Sequence, residues 1–285
     1  MKNTGPKRLL VTGGASGIGA SIGRLAAERG HRVMIADIDA DGAEVVAREI
    51  GNAARSTMLD IRSSEQWERA IALCNQELGG LDVLINNAGI VHTGLARNVA
   101  LSAHQQTFDV NTMGPIRGML AALPFFRAQG SGQFVTVCSM TSFLPFPGLA
   151  SYAASKHALR AFHHALALEE RETPLSFTIV HPTSTETPML QQEAQSDEAP
   201  MAFLSEAVTP DYVAEIVLTA MRKKTVEVFM PPEQARPVRS LGTNPRRLRK
   251  VIALAEAAGR RNLDARRASE DERASEETVT DGIPS

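Results

Sequence analysis

Only two cysteines occur in the chain, Cys74 and Cys138. So few exclude a disulfide framework and a structural zinc site, and both thiols read as small buried apolar residues of a reduced, cytoplasmic protein. No apolar run approaches the roughly 20 residues that cross a bilayer, and the short polar start Met1 to Pro6 lacks the apolar stretch of a signal peptide. A formal net charge of −2 removes any general attraction to nucleic acid or to anionic membranes. Internal repeats are absent. None of the seven histidines stands in a ligand spacing such as H-E-x-x-H, so no metal is expected. No G-x-S-x-G elbow surrounds Ser139, which sets a hydrolase aside.

What remains is an ordinary globular composition, 43% hydrophobic and 22% charged. From residue 7 to 230, short apolar runs alternate with helical segments. The strand candidates are Arg8 to Thr12, Arg32 to Asp37, Ser56 to Leu59, Val83 to Asn86, Gln133 to Ser139, Ser176 to His181 and Val226 to Met230. Most carry consecutive apolar residues, as strands covered on both faces do. Helices are predicted over 17–30, 40–50, 63–78, 102–128, 151–172 and 209–224. The pattern predicts an α/β fold, a single doubly wound parallel seven-stranded sheet with helices on both faces, Rossmann-like in kind. Such sheets bind ligands beyond the C-terminal strand ends.

At the first of those ends stands Thr12-Gly13-Gly14-Ala15-Ser16-Gly17-Ile18-Gly19, opening a helix. A tight glycine turn there brings backbone N–H groups and the positive helix end toward a pyrophosphate. The second strand ends at Asp37, where dinucleotide folds place the carboxylate for the adenosine ribose. That carboxylate repels a 2′-phosphate, and neither Ser16 nor Ile38 offers a cation to hold one. NAD is therefore expected as the cofactor and NADP is disfavoured.

Tyr152 and Lys156 lie four apart on one face of a predicted helix. An ammonium beside a phenol favours its ionisation, which suits Tyr152 to proton exchange. Ser139, 13 residues earlier at a strand end, brings a hydroxyl to the same crevice. Here the chain resembles the short-chain dehydrogenase/reductase family over about residues 7 to 230. The resemblance is carried by Thr12 to Gly19, Asp60, Asn86-Asn87-Ala88-Gly89, Asn111, Ser139, Tyr152 with Lys156, and Pro182 with Thr187. It implies a catalytic set of Asn111, Ser139, Tyr152 and Lys156, with Tyr152 as general acid/base, Ser139 bonding the substrate oxygen and Asn111 holding a relay water. It also implies cofactor contacts by Gly13, Ser16, Gly17, Ile18, Gly19, Asp37, Asp60, Ile61, Asn87, Ala88, Gly89, Tyr152, Lys156, Pro182, Thr185 and Thr187. Two positions depart from the family pattern: Thr183 and Ser142 stand where glycine is usual, which puts loop geometry in question.

The reading is an NAD-dependent oxidoreductase interconverting a secondary alcohol and a ketone. Epimerisation, or a catalytically silent NAD-binding module, is the alternative. Phe143, Leu144, Pro145 and Phe146, with Met189 and Leu190 in the long connection 183–206, suggest an apolar substrate. Residues 7–235 are expected to form one NAD-binding and catalytic domain, in a homodimer or homotetramer. A basic helical extension over 236–258 is expected to pack on its own domain rather than lie on a membrane or dock on a second subunit, through the stripe Leu248, Val251, Ile252, Leu254 and Ala255. From Gly259 to Ser285 almost nothing is apolar, which predicts a disordered tail.

Overall fold

Successive side chains of a strand point to opposite faces, so a strand whose central residues are consecutively apolar must be covered on both faces. Strand β1 (Arg8–Thr12) meets that condition. Leu9 and Val11 enter one apolar layer and Leu10 the other, all without exposure. A computed structural model, describing residues 5–280, shows the sheet this builds. Strands β2 (Arg32–Asp37), β3 (Ala54–Met58), β4 (Val83–Asn86), β5 (Gln133–Val137), β6 (Ser176–His181) and β7 (Glu227–Phe229) join β1 in the order β3-β2-β1-β4-β5-β6-β7. Every pairing is parallel.

One face is covered by α1 (Gly17–Glu28), α2 (Ala40–Ile50) and α8 (Pro210–Lys223), through residues such as Ile22, Val46 and Val217. The other is covered by α3 (Ser64–Leu73), α5 (Gly114–Gln129) and α6 (Ala150–Glu169), through Trp67, Phe126 and Leu159. Side-chain caps start several helices: Asp39 accepts from Gly42 N at 3.0 Å, Ser63 from Gln66 N at 3.2 Å and Thr209 from Tyr212 N at 3.2 Å.

The helix expected over 102–128 is interrupted. It consists of α4 (Leu101–Phe108), a π-helical turn at Asp109–Met113, and α5. Such turns insert one residue and re-aim side chains, often at functional sites. Strand β5 stops at Val137, two residues short of the expected end, and Ser139 instead caps a 3₁₀ turn at Met140–Ser142.

The long connection after β6 carries α7 (Pro188–Ala194) and a 3₁₀ turn at Pro200–Phe203. Beyond β7, α9 (Ala235–Gly242) leads into α10 (Pro245–Thr280). Here the structure corrects the sequence reading, because the tail expected to be disordered from Gly259 is helical through Thr280; residues 281–285 lie outside the described residues, as do Met1 to Thr4 of the start. The reason is tertiary. Leu263 is wholly buried in a cluster with Leu190 and Phe203. Arg266 pairs with Glu186 at 2.6 Å, and Arg267 pairs with Asp197 at 2.6 Å while donating to the Ala194 carbonyl. Gly259 lets this happen: a Cβ there would sit 2.1 Å from the Pro200 carbonyl oxygen. The stripe expected to anchor the extension is only half-buried at Leu248, Val251 and Ile252, and Leu254 is 75% exposed. Among the described residues, no helix is long and apolar enough to cross a membrane.

Candidate active site

Strand order reverses between β1 and β4, so the chains leaving their C-terminal ends diverge and open a crevice. The two ends are tied together. Thr12 Oγ1 accepts from the backbone N–H groups of Asn87 at 3.0 Å and Ala88 at 3.2 Å, and Asn87 Nδ2 donates to the Thr12 and Gly13 carbonyls. Gly13 adopts φ +66°, and a Cβ on it would meet Ala88 Cα at 2.8 Å, so glycine is required on both counts. Asp37 Oδ2 accepts from Ala15 N at 3.0 Å and holds the turn from the other side.

The crevice is a cavity of about 550 Å³. Gly13, Ser16, Gly17, Ile18, Asp37, Asp60, Ile61, Asn87, Ala88, Gly89, Tyr152, Lys156 and Thr187 all line it. Gly19 does not: it faces the Gly13 carbonyl, packing helix against turn. A second cavity of about 280 Å³ adjoins the first and is lined by Ser139, Tyr152, Pro182, Thr185, Thr187 and the apolar groups of Leu144, Phe146, Leu149, Met189, Leu190 and Met201. Tyr152 and Thr187 border both.

Tyr152 and Lys156 rise one turn apart from α6, with the Lys156 ammonium 5.6 Å from the tyrosine ring centre. Asn111, in the π-helical turn, is fully buried behind them. Its Oδ1 accepts from Ile90 N at 2.8 Å, and its Nδ2 donates to Ile90 O at 2.9 Å and to Ser155 Oγ at 3.2 Å. Ser139 Oγ accepts from Thr141 N at 3.1 Å and Thr141 Oγ1 at 2.9 Å. Burial dominates the ionisation of the pair. It pushes the Tyr152 hydroxyl above its ordinary range, aided by the charges of Glu193 and Cys138 and opposed by Ser139, and it lowers Lys156.

Both departures from glycine prove compatible with the loop. Thr183 has no left-handed φ, and its hydroxyl pairs with Ser205 Oγ at 3.4 Å. Ser142 donates to the Ser139 carbonyl at 2.7 Å and meets His181 Nδ1 at 3.0 Å. His181, fully buried at the end of β6, reaches the Ser139 carbonyl at 3.2 Å with Nδ1 and Glu227 at 3.1 Å with Nε2. Glu227 also gathers Arg160, His164 and Arg239. Burial opposes its charge, yet the hydrogen bonds from His164 and His181 hold its carboxyl far below the usual range. This network, which fixes the backbone carrying Ser139, is missed by the sequence reading, because it joins residues up to 100 positions apart with no motif. Glu193 is missed as well. Its signal was available: Met189, Leu190 and Glu193 fall on one face of a short helix, an acid in an apolar stripe.

A doubly wound sheet whose glycine turn, strand-end acid and helical Tyr-Lys pair share one crevice defines a dinucleotide-type oxidoreductase scaffold. The comparisons with known proteins make this specific. Residues 7–198 match the family described as short chain dehydrogenase, and the chain belongs to that family, whose members are oxidoreductases acting on CH–OH groups. It is 34% identical over 183 residues to a 3-alpha-(or 20-beta)-hydroxysteroid dehydrogenase of Mycobacterium tuberculosis, covering 64% of this chain and 70% of that protein. It is 30% identical over 222 residues to a 3-beta-hydroxysteroid dehydrogenase of Comamonas testosteroni, covering 74% and 87%. Among solved structures, a 3-ketoacyl-(acyl-carrier-protein) reductase from Brucella melitensis complexed with NADH superposes with a TM-score of 0.70 at 29% identity, covering 78% of this chain and 95% of that one. A short chain dehydrogenase/reductase from Burkholderia phymatum in complex with NAD gives 0.76 at 21% identity, over 84% and 94%, and supports the fold.

Proposed function

We propose that this protein interconverts a secondary alcohol and its ketone with NAD as redox partner. The observation that carries the reading is Tyr152, whose side chain borders both the polar crevice and the apolar cavity, with Ser139 on one side and Lys156 on the other. The crevice residues fit a dinucleotide. The Gly13 turn leaves no room for a Cβ, Gly17 and Ile18 at the start of α1 line the cavity, and Asp37 lines it as well, available for ribose hydroxyls. When bound there, NAD supplies the hydride acceptor and donor. Tyr152 exchanges the proton of the substrate oxygen, and Ser139 donates a hydrogen bond to that oxygen. Lys156 holds the nicotinamide ribose, and Asn111 holds a relay water.

NAD rather than NADP is supported by Asp37 and by the only basic side chain that, among the described residues, lines the crevice besides Lys156. That residue, Arg62, is engaged by Asp60 at 2.7 Å and 2.9 Å. The lining of the second cavity suits a moderately large apolar alcohol, in keeping with relatives named for hydroxysteroids. Exposed Leu101, Phe108, Met113 and Leu120 along α4 and α5 support a homodimer or homotetramer. The test is a panel of cyclic and steroidal alcohols and ketones, with NAD and NADP, followed by nicotinamide absorbance. Turnover with NAD is expected, and a panel without turnover refutes the reading.

A further inference from the structure

The apolar cavity contains one charged side chain. Glu193, on α7, is 8% exposed and lines the cavity together with Ser139 and Tyr152. No lysine, arginine or histidine shares that lining, and no hydrogen bond or ion pair engages the Glu193 carboxyl among the described residues. The same lining includes Leu149, Met189, Leu190 and Met201. A carboxyl left without a partner in such surroundings costs free energy that a leucine would not. α7 is held firmly, since Arg267 of α10 binds the Ala194 carbonyl one residue on, so the carboxyl does not escape to solvent by a small shift of the helix.

We infer that Glu193 is a substrate-specificity residue, supplying the hydrogen-bond partner for a second hydroxyl on the substrate, distinct from the hydroxyl that reacts at Tyr152. This rests on the alcohol–ketone reading for the meaning of "substrate", while the pairing itself is a matter of binding. A diol, or a ketone bearing a hydroxyl, satisfies the carboxyl; a purely hydrocarbon alcohol of the same size leaves it unpaired, and a site built for a hydroxyl rejects the analogue lacking it. Burial supports the same role by pushing the carboxyl up to about 7, so that near neutral pH it can accept a hydrogen bond when ionised and donate one when not. The other ionisable groups of the lining are Tyr152 and Cys138. Cys138 is fully buried within reach of His181, and Tyr152 feels the Glu193 charge directly.

The test compares trans-1,4-cyclohexanediol with trans-4-methylcyclohexanol, matched in ring and differing in the distal group, in the wild type, Glu193→Gln and Glu193→Leu. The wild type is expected to favour the diol at least tenfold in kcat/KM, Glu193→Gln to keep part of that preference, and Glu193→Leu to reverse it. NAD affinity should stay unchanged in all three. A merely structural role would lower both substrates together, so a diol-to-methyl ratio within twofold of wild type in Glu193→Leu overturns the inference. If the wild type oxidises neither alcohol, that result counts against the redox reading for these substrates, and calorimetric binding of the two probes decides this one. Preference for the diol that vanishes in Glu193→Leu supports it, and no preference in the wild type, or no binding of the diol, overturns it.

Discussion

The two ends of the active-site crevice are built by opposite means. At the dinucleotide end, the parts are local: a glycine turn, the strand ends of β1 and β4, and Asp37, all bonded backbone to side chain within one sheet edge. At the substrate end they are distant. The connection carrying α7 is covered by α10, whose Gly259, Leu263, Arg266 and Arg267 touch residues 59 to 80 positions earlier. The first end depends on backbone geometry, which few sequences satisfy. The second depends on side-chain packing, which tolerates change and allows one scaffold to serve different substrates.

The sharpest way to break this contrast is to remove the cover. Leu263→Ala empties a fully buried site and is expected to cost about 2–5 kcal/mol, measured by the urea midpoint. Truncation after Gly259 should also lower alcohol turnover. NAD affinity should survive both, because none of the described residues of α10 lines the crevice; loss of NAD binding in step with stability would merge the two ends into one unit.

A second effect, of up to about 3 kcal/mol, sharpens the contrast by pH. Glu193 is pushed up to about 7 in the folded chain from an ordinary value of 4.5. The folded state therefore binds its proton more tightly than the unfolded state. Wild-type stability should fall, relative to Glu193→Gln, as pH rises from about 4.5 to 7, and the difference should then level off. Parallel pH profiles for the two proteins would contradict the burial of an unpaired carboxyl.

The smallest expected effect lies at the dinucleotide end. Asp37→Ala with Ile38→Arg removes the repelling carboxylate and adds a phosphate partner at an exposed position. The ratio of kcat/KM for NAD over NADP is expected to fall at least tenfold, about 1.4 kcal/mol. An unchanged ratio would take cofactor choice away from Asp37.

This asymmetry also decides what could be read from the sequence. The parallel sheet was legible because β1, β2 and β4 carry unbroken apolar runs, and residues of the glycine turn, Asp37, Asn87 and the Tyr152-Lys156 pair meet in one crevice because their spacing reflects local geometry. The π-helical turn that seats Asn111 has no sequence signature and was absorbed into one long helix. The tail failed for a different reason. Composition counts apolar residues, but α10 is anchored, among the described residues, by the buried Leu263, a glycine that permits close approach, and Arg260, Asn262, Arg266 and Arg267 bound to carbonyl and carboxylate oxygens. The His181–Glu227 pair behind Ser139 joins neighbouring strands β6 and β7, a proximity that only the strand order reveals.

The central claim is that Tyr152, at the junction of the two cavities, moves the proton of the reacting oxygen. It is tested most directly by Tyr152→Phe, with alcohol turnover and NAD binding measured on the same preparation. The account predicts a loss of turnover on the order of 10²–10⁴-fold with NAD affinity within twofold of wild type, since the crevice retains the Gly13 turn, Asp37 and Lys156. Turnover within tenfold of wild type would contradict it.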